Sequence, residues 1–370
     1  MAHIIFAKKL FTGEQLLNNQ LVYCEKGAIV SVRDGIAAEA DQEVACLSAG
    51  FIDIHINGGS RHHFTAEPEE QTVRDIAESS EALGTAYTLP TLVTSPVENI
   101  LKGIGAVRAF MAAQPGKGVI GMHLEGPFIH PIKRGAHLTK YLLQPTDELI
   151  EKIAREGSGV IALITIAPEL FSDRQIAMLM EAGITVSAGH SNATYEEGQS
   201  AFAKGIRLVT HLYNAMSGFS HRAPGLVGAA FDNGDVYAPI ILDGAHCHFA
   251  SARIAYRAKK EKLFLISDAL FTGDQMSFFK WDHFDSYLRD GRYVNSEGNL
   301  AGAAICMGDA VRNAVHQVGI GLQEAVEMAT IRPAEALGLQ QQLGRVQPGY
   351  PAVFTGFDDS LQSFSVIRIR

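Results

Sequence analysis

Phe51-Ile52-Asp53-Ile54-His55-Ile56-Asn57-Gly58 is a short apolar run that ends on an imidazole. The same arrangement recurs four times downstream. One run ends on Glu125, in I-G-M-H-L-E-G-P, and another on His190, in V-S-A-G-H-S-N. The remaining two end on His211, in L-V-T-H-L-Y-N-A-M, and Asp268, in F-L-I-S-D-A. One buried strand that ends on a metal-type ligand is uncommon. Five in one chain predict ligands that converge on one rim of a barrel, and with them a metal-dependent hydrolase.

Working outward from these runs, eight apolar stretches appear, around 50–56, 85–93, 118–124, 159–167, 184–188, 207–212, 236–243 and 263–268. Helix-like segments separate most of them: Thr72 to Leu83, Val97 to Ala112, Asp147 to Arg155, Asp173 to Ala182 and Ala250 to Lys260. The helix after the sixth run is poorly marked. Near-continuous apolar strands are what a parallel sheet covered on both faces needs. Eight such units make a (β/α)8 barrel, whose active site lies at the C-terminal ends of its strands. The five candidate ligands follow runs one, three, five, six and eight at that end.

The two ends of the chain read differently. Leu21 to Cys24 and Ile29 to Val32 flank a turn at 25–28 and predict a hairpin. Ala352 to Thr355 and Val366 to Ile369 read as strands as well. Residues 1–48 and 342–370 are therefore expected to form a small β-sandwich domain, with 49–341 as the barrel. The chain has 370 residues, 47% of them apolar, enough for a large core. A net charge of -9 speaks against nucleic acid as a partner. Four scattered cysteines without a C-x-x-C pair suggest a reducing compartment. With no signal-peptide pattern and no run near the roughly 18 apolar residues of a membrane span, the expectation is a cytoplasmic protein that does not engage a membrane.

Glu125, His190 and His211 supply one carboxylate and two imidazoles from three strands, a ligand set that suits one divalent zinc with an open position. Such a metal lowers the pKa of its bound water to about 7. Asp268 can take the water's proton and return it to a leaving group. His137, in K-R-G-A-H, can polarise a carbonyl. Asn57 stands where a second metal-binding histidine would complete H-x-H with His55, because residues i and i+2 of a strand share a face. A second site of His55, Glu125 and Asp268 is weakened by that carboxamide, and Asn57 reads better as a substrate contact. His123 shares a face with Glu125 and reads as core or as support for the ligands. His62 and His63 read as a solvated loop. Asn214, Ala215, Arg222, His246 and the small-residue run Leu300-Ala301-Gly302 suit an anionic sugar, Arg222 through a bidentate fork to phosphate.

Taken in order, F-I-D-I-H-I-N-G, H-L-E-G-P-F, K-R-G-A-H, S-A-G-H-S-N-A-T, T-H-L-Y-N-A-M, R-A-P-G-L-V-G, D-G-A-H and S-D-A resemble the motifs of the N-acetylglucosamine-6-phosphate deacetylase family, within the amidohydrolase superfamily. The resemblance implies hydrolysis of the acetamide to acetate and glucosamine 6-phosphate, in amino-sugar catabolism. It implies metal binding by Glu125, His190 and His211, with Asp268 as catalytic acid and base. It also implies that His137, beside Ala136, holds the acetyl carbonyl. Asn214, Ala215, Arg222, His246 and Leu300 to Gly302 would bind sugar and phosphate. Arg222 and His246 would act from the neighbouring subunit of a homodimer. The hybrid His55-x-Asn57 leaves one or two metals open. Departures after Asp268 and Gly302 leave the galacto epimer, or another N-acyl amino-sugar phosphate, as the alternative substrate. No lysine follows the fourth run, which speaks against a carboxylated-lysine site. A non-catalytic sugar-phosphate-binding barrel is the contrasting expectation, and Asp268 beside an intact ligand set argues against it.

Overall fold

The computed structural model of the chain describes residues 2–273 and 276–370. Four strands open it: β1 (His3–Phe11), β2 (Leu16–Glu25), β3 (Ala28–Asp34) and β4 (Gln42–Ala49). Eight βα units follow. Their strands are β5 (Phe51–Ile56), β6 (Thr85–Val93), β7 (Met122–Glu125), β8 (Ile161–Ile166), β9 (Thr185–Ala188), β10 (Leu208–Val209), β11 (Ala238–Ile240) and β12 (Leu263–Leu265). The matching helices are α1 (Glu70–Ala82), α2 (Val97–Ala113), α3 (Asp147–Gly157), α4 (Asp173–Glu181), α5 (Tyr195–Ala203), α6 (Gly225–Asp232), α7 (Phe249–Lys259) and α8 (Met307–Asn313).

β5 to β10 pair in parallel in sequence order, and β11 pairs in parallel with β12. Two isolated bridges close the ring, Leu208 with Tyr237 and Ile56 with Ala269. At the second seam Asp268 N donates to His55 O at 2.9 Å and Asn57 N to Ala269 O at 2.9 Å. Strand residues Ile54, Leu124 and Ile164 share one continuous core with Ile76, Ile104 and Ile153 of the helices. Several helix starts are set locally. Thr146 caps α3, and capping boxes Ser172/Gln175 and Thr194/Glu197 start α4 and α5.

The helix left unmarked in the sequence is α6. Its residues Gly225 to Ala230 are all buried, so no amphipathic stripe advertises it. A further element carried no expectation at all. Between β12 and α8 the chain makes an antiparallel three-stranded insert, β13 (Phe278–Trp281), β14 (Phe284–Arg289) and β15 (Arg292–Val294). Its second turn is Asp290-Gly291, with φ of 50° and 74°, the Asp-Gly hairpin signal that the sequence does carry.

Both termini build a separate β-domain. β16 (Val353–Phe357) and β17 (Phe364–Arg368) join β4, β1, β2 and β3 in one six-stranded sheet. The far edge folds back on the incoming C-terminal segment, where Ile29 N donates to Tyr350 O at 2.8 Å and Ala352 N to Gly27 O at 2.9 Å. The sheet so encloses its own core of Ile5, Leu10, Val22, Leu47, Val346 and Phe354. Among the described residues no helix is long and apolar enough to cross a membrane. The four cysteines are free thiols.

Candidate active site

Glu125 is the last residue of β7, His190 and His211 follow β9 and β10 by two residues, and Asp268 follows β12. All four stand at the C-terminal rim of the barrel, and all are buried. His190 Nε2 and His211 Nε2 lie 3.1 Å apart and reach the same Glu125 oxygen, Oε1, at 3.1 and 3.0 Å. His190 Nδ1 lies 2.9 Å from the Lys133 carbonyl, which can only accept, so Nδ1 carries the proton and Nε2 a lone pair. That lone pair faces a carboxylate oxygen and a second imidazole nitrogen. Three electron-rich atoms meeting in a buried space fit a cation between them. Ligand atoms 2.0–2.1 Å from one tetrahedral zinc stand about 3.3 Å apart, close to the separations found here. The residues therefore fit a divalent metal.

The other Glu125 oxygen, Oε2, faces a second group. His55 Nε2 lies 3.3 Å from it and 3.2 Å from Asp268 Oδ1, and has no geometric hydrogen-bond partner. Glu125 thus stands between the His190/His211 pair and His55/Asp268. His137 Nε2 is 3.6 Å from Oε2, and Glu125, His137 and His190 also bring ligand atoms within 4.8 Å of one another. Asn57 Nδ2 donates to Asp268 Oδ1 at 2.8 Å, so its carboxamide is tied to the carboxylate.

The electrostatics follow from burial and from these neighbours. Burial opposes the charge on Glu125, but His55 and the imidazoles of His137, His190 and His211 around it hold its carboxyl well below the usual range. Burial also works against a proton on His55. Asp268 and Glu125 outweigh it and raise the imidazole to about 9. Burial lowers His190 and His211, which keeps them neutral and fit to be ligands. Below the rim, His123 Nε2 meets Thr165 Oγ1 at 2.8 Å, and Thr210 Oγ1 links to Thr165 at 2.7 Å and Ser187 at 2.6 Å. His123 thus belongs to a buried polar layer beneath the strand ends that carry Glu125, His190 and His211.

A cavity of about 560 Å3 opens above this cluster. Asn57, Glu125, His190, His211 and Asp268 form its floor. Ala136 and His137 line it from the β7–α3 loop, with the His137 Nδ1 2.7 Å from Thr94 Oγ1. Asn214, Ala215 and His246 line a further side, and Leu300 to Gly302 line another. Burial disfavours charge on His246, but the Asp243 carboxylate, 2.7 Å from Nδ1, raises its pKa. Arg222 is exposed and does not line the cavity of its own chain, whereas His246, expected to act with it from a neighbouring subunit, lines its own. One expectation fails. His63 is not a solvated loop residue. It is buried, stacked on Phe279 of β13 with centroids 4.7 Å apart, because the unforeseen insert covers it. Gly302 also stands close to neighbouring chain: with φ of 87°, an added Cβ would stand 2.9 Å from Leu270 Cβ.

The sequence reading also missed Lys133, Arg134, Trp281, Phe284 and Asn299, which line the same cavity. Lys133 and Arg134 stand in the quoted K-R-G-A-H motif, so their placement was within reach. Trp281, Phe284 and Asn299 belong to the insert and its return, for which alternating aromatics were the available sign.

A parallel eight-stranded barrel with a histidine–carboxylate cluster at its C-terminal rim defines a metal-dependent hydrolase of barrel type. The sequence model of the amidohydrolase family matches residues 46–367, and the chain belongs to that family. N-acetylglucosamine-6-phosphate deacetylase of Haemophilus influenzae is 35% identical over 325 residues, covering 87% of this chain and 84% of its own. N-acetylgalactosamine-6-phosphate deacetylase of a Shewanella species is 37% identical over 369 residues, covering 97% and 92%. The crystal structure of the Pasteurella multocida N-acetylglucosamine-6-phosphate deacetylase superposes with a TM-score of 0.92 at 31% identity, over 98% of this chain and 97% of that one.

Proposed function

We propose that the chain hydrolyses the acetamide of N-acetylglucosamine 6-phosphate to glucosamine 6-phosphate and acetate. The observation that carries this reading is the meeting of Glu125 Oε1, His190 Nε2 and His211 Nε2 within 3.1 Å, in a cavity that also holds Asp268. These three residues would hold one divalent metal, and two imidazoles with one carboxylate favour zinc over iron, manganese or cobalt. When bound, the metal activates water at neutral pH and polarises the amide carbonyl.

The chain's own groups do the rest. Asp268 accepts the proton of the attacking water as its oxygen bonds to the acetyl carbon. The C–N bond then breaks, and Asp268 delivers that proton to the departing amine. Asn57 orients Asp268 through the 2.8 Å hydrogen bond. Held by Nδ1 2.7 Å from Thr94 Oγ1, His137 in its Nε2-protonated tautomer donates to the acetyl oxygen. Asn214 and Ala215 suit the sugar, and the cationic tendency of His246 suits phosphate. Arg222, exposed in its own chain, is free to serve the cavity of a second subunit in a homodimer. The segments 1–48 and 342–370 act as one domain beside the 49–341 barrel, and the reaction belongs to the cytoplasm. His55, Glu125 Oε2 and Asp268 offer room for a second metal.

Acetate release by zinc-loaded protein from N-acetylglucosamine 6-phosphate, its galacto epimer and the unphosphorylated sugar is the test. Preference for the gluco phosphate supports the reading, and no acetate from either phosphate sinks it. The galacto epimer is the second reading. It is favoured by the Shewanella relative, which matches nearly the whole chain.

A further inference from the structure

The three-stranded insert ends in a hairpin tip that points at the cavity. Trp281 and Phe284 are paired across its two strands, on either side of the two-residue turn Asp282-His283. Both line the cavity. Trp281 is the chain's single tryptophan. The tip is fastened to the opposite wall. Asp282 accepts from Lys140 Nζ at 2.7 Å and from Tyr141 Oη at 2.6 Å, and the Tyr141 ring lies 6.1 Å from that of Trp281. Phe279 and Phe284 also pack on His63, and Arg134 pairs with Glu297 at 2.5 Å. A half-exposed indole held this firmly over a cavity has a fixed face to offer.

The floor of the cavity is histidine and carboxylate, and it suits the polar edge of a substrate. A pyranose has polar edges but apolar C–H faces, and those faces need an apolar surface when water leaves. The electron-rich face of an indole meets polarised C–H groups well, and its ring is rigid. We propose that Trp281, seconded by Phe284, is the platform on which the sugar ring of the substrate rests. The insert is thereby a substrate-binding element and not only a cover. This rests on the amino-sugar reading given above and extends it to a residue and an element that the motif series does not contain.

The single tryptophan makes the test direct. Zinc-loaded Asp268→Asn protein, which holds substrate without turning it over, is titrated with N-acetylglucosamine 6-phosphate while tryptophan emission is followed. A saturable change is expected, with none from inorganic phosphate alone. In the otherwise native enzyme Trp281→Ala raises KM about tenfold and leaves kcat within about twofold, the size expected for losing one aromatic contact made equally in ground and transition states. Trp281→Phe recovers most of the loss, which separates ring contact from a misfolded insert. Calorimetric binding with unchanged emission, or a KM for Trp281→Ala equal to that of the wild type, overturns the proposal. If the wild type releases no acetate, the activity reading fails separately, and the emission titration still decides whether the ring sits on Trp281.

Discussion

His190, His211 and Asp268 all hold left-handed backbone, with φ of 47°, 32° and 48°. Non-glycine residues adopt that region at a cost, and it persists where surrounding bonds over-determine it. Asp268 shows how. Its N–H donates to His55 O at 2.9 Å, and its carbonyl accepts from Ala303 N at 2.7 Å. The residue is gripped between β5 and the return segment of the insert, which aims the carboxylate into the cavity. Two substitutions separate the roles at this scale. Glu125→Gln should lose both bound zinc and acetate release, because a neutral amide is a poor ligand and leaves His190 and His211 facing one another. Asp268→Asn should keep the metal bound to Glu125, His190 and His211, and lower kcat by about 10²- to 10⁴-fold, the usual range for a lost acid–base group. Metal analysis beside kinetics checks both, and equal zinc loss in the two variants would count against the division of labour. The residue types and their strand-end positions were legible in the sequence. Which Glu125 oxygen each imidazole meets was not, since that depends on where three distant strands end relative to one another.

At the scale of elements, the insert β13–β15 decides most of what sequence reading missed. It buries His63 among Phe271, Phe279 and Phe284, and that burial lowers the imidazole to about 3. The unfolded chain binds a proton at this residue near pH 6.5, whereas the folded chain does not until about pH 3. Stability therefore falls as pH drops through that window, by roughly 2 kcal/mol from this residue at pH 5. His63→Phe should flatten the acid side of a stability-against-pH curve measured by denaturant unfolding. A curve parallel to that of the wild type would show that His63 is not the group responsible. The return of the insert is equally constrained. Gly302 pairs closely with Leu270 and has positive φ, so Gly302→Ala should destabilise the fold by about 1–3 kcal/mol. A thermal midpoint equal to wild type would contradict that. α6 escaped notice for a different reason: buried all round, it has no polar face to set a 3.6-residue rhythm. The other helices kept that rhythm or clear caps, so Asp147 to Arg155 and Val97 to Ala112 could be placed to within two residues.

For the whole molecule, the exposed position of Arg222 sets the next experiment. In a dimer that shares its phosphate sites, Arg222→Ala should raise KM for the phosphorylated sugar at least tenfold, about the loss of one charge-assisted hydrogen bond. Mixing that variant with an Asp268→Asn variant should restore part of the activity, because one of the two cavities in each hybrid dimer draws Asp268 from one subunit and Arg222 from the other. Sedimentation of the wild type as a monomer, or no recovery on mixing, would exclude the shared site.

The sequence by itself determined the eight strands, the histidine and carboxylate side chains at their ends and the pairing of the two chain ends in one β-domain. These rest on local properties: apolar runs, caps, turns and side chains with particular chemistry. Only the tertiary structure decided that the ring closes at Ile56 and Ala269, that Glu125 stands between two groups, that Arg222 faces away and that Trp281 hangs over the cavity. Each of those joins residues far apart in the chain through a few hydrogen bonds or one packed face, and no local pattern records such a meeting.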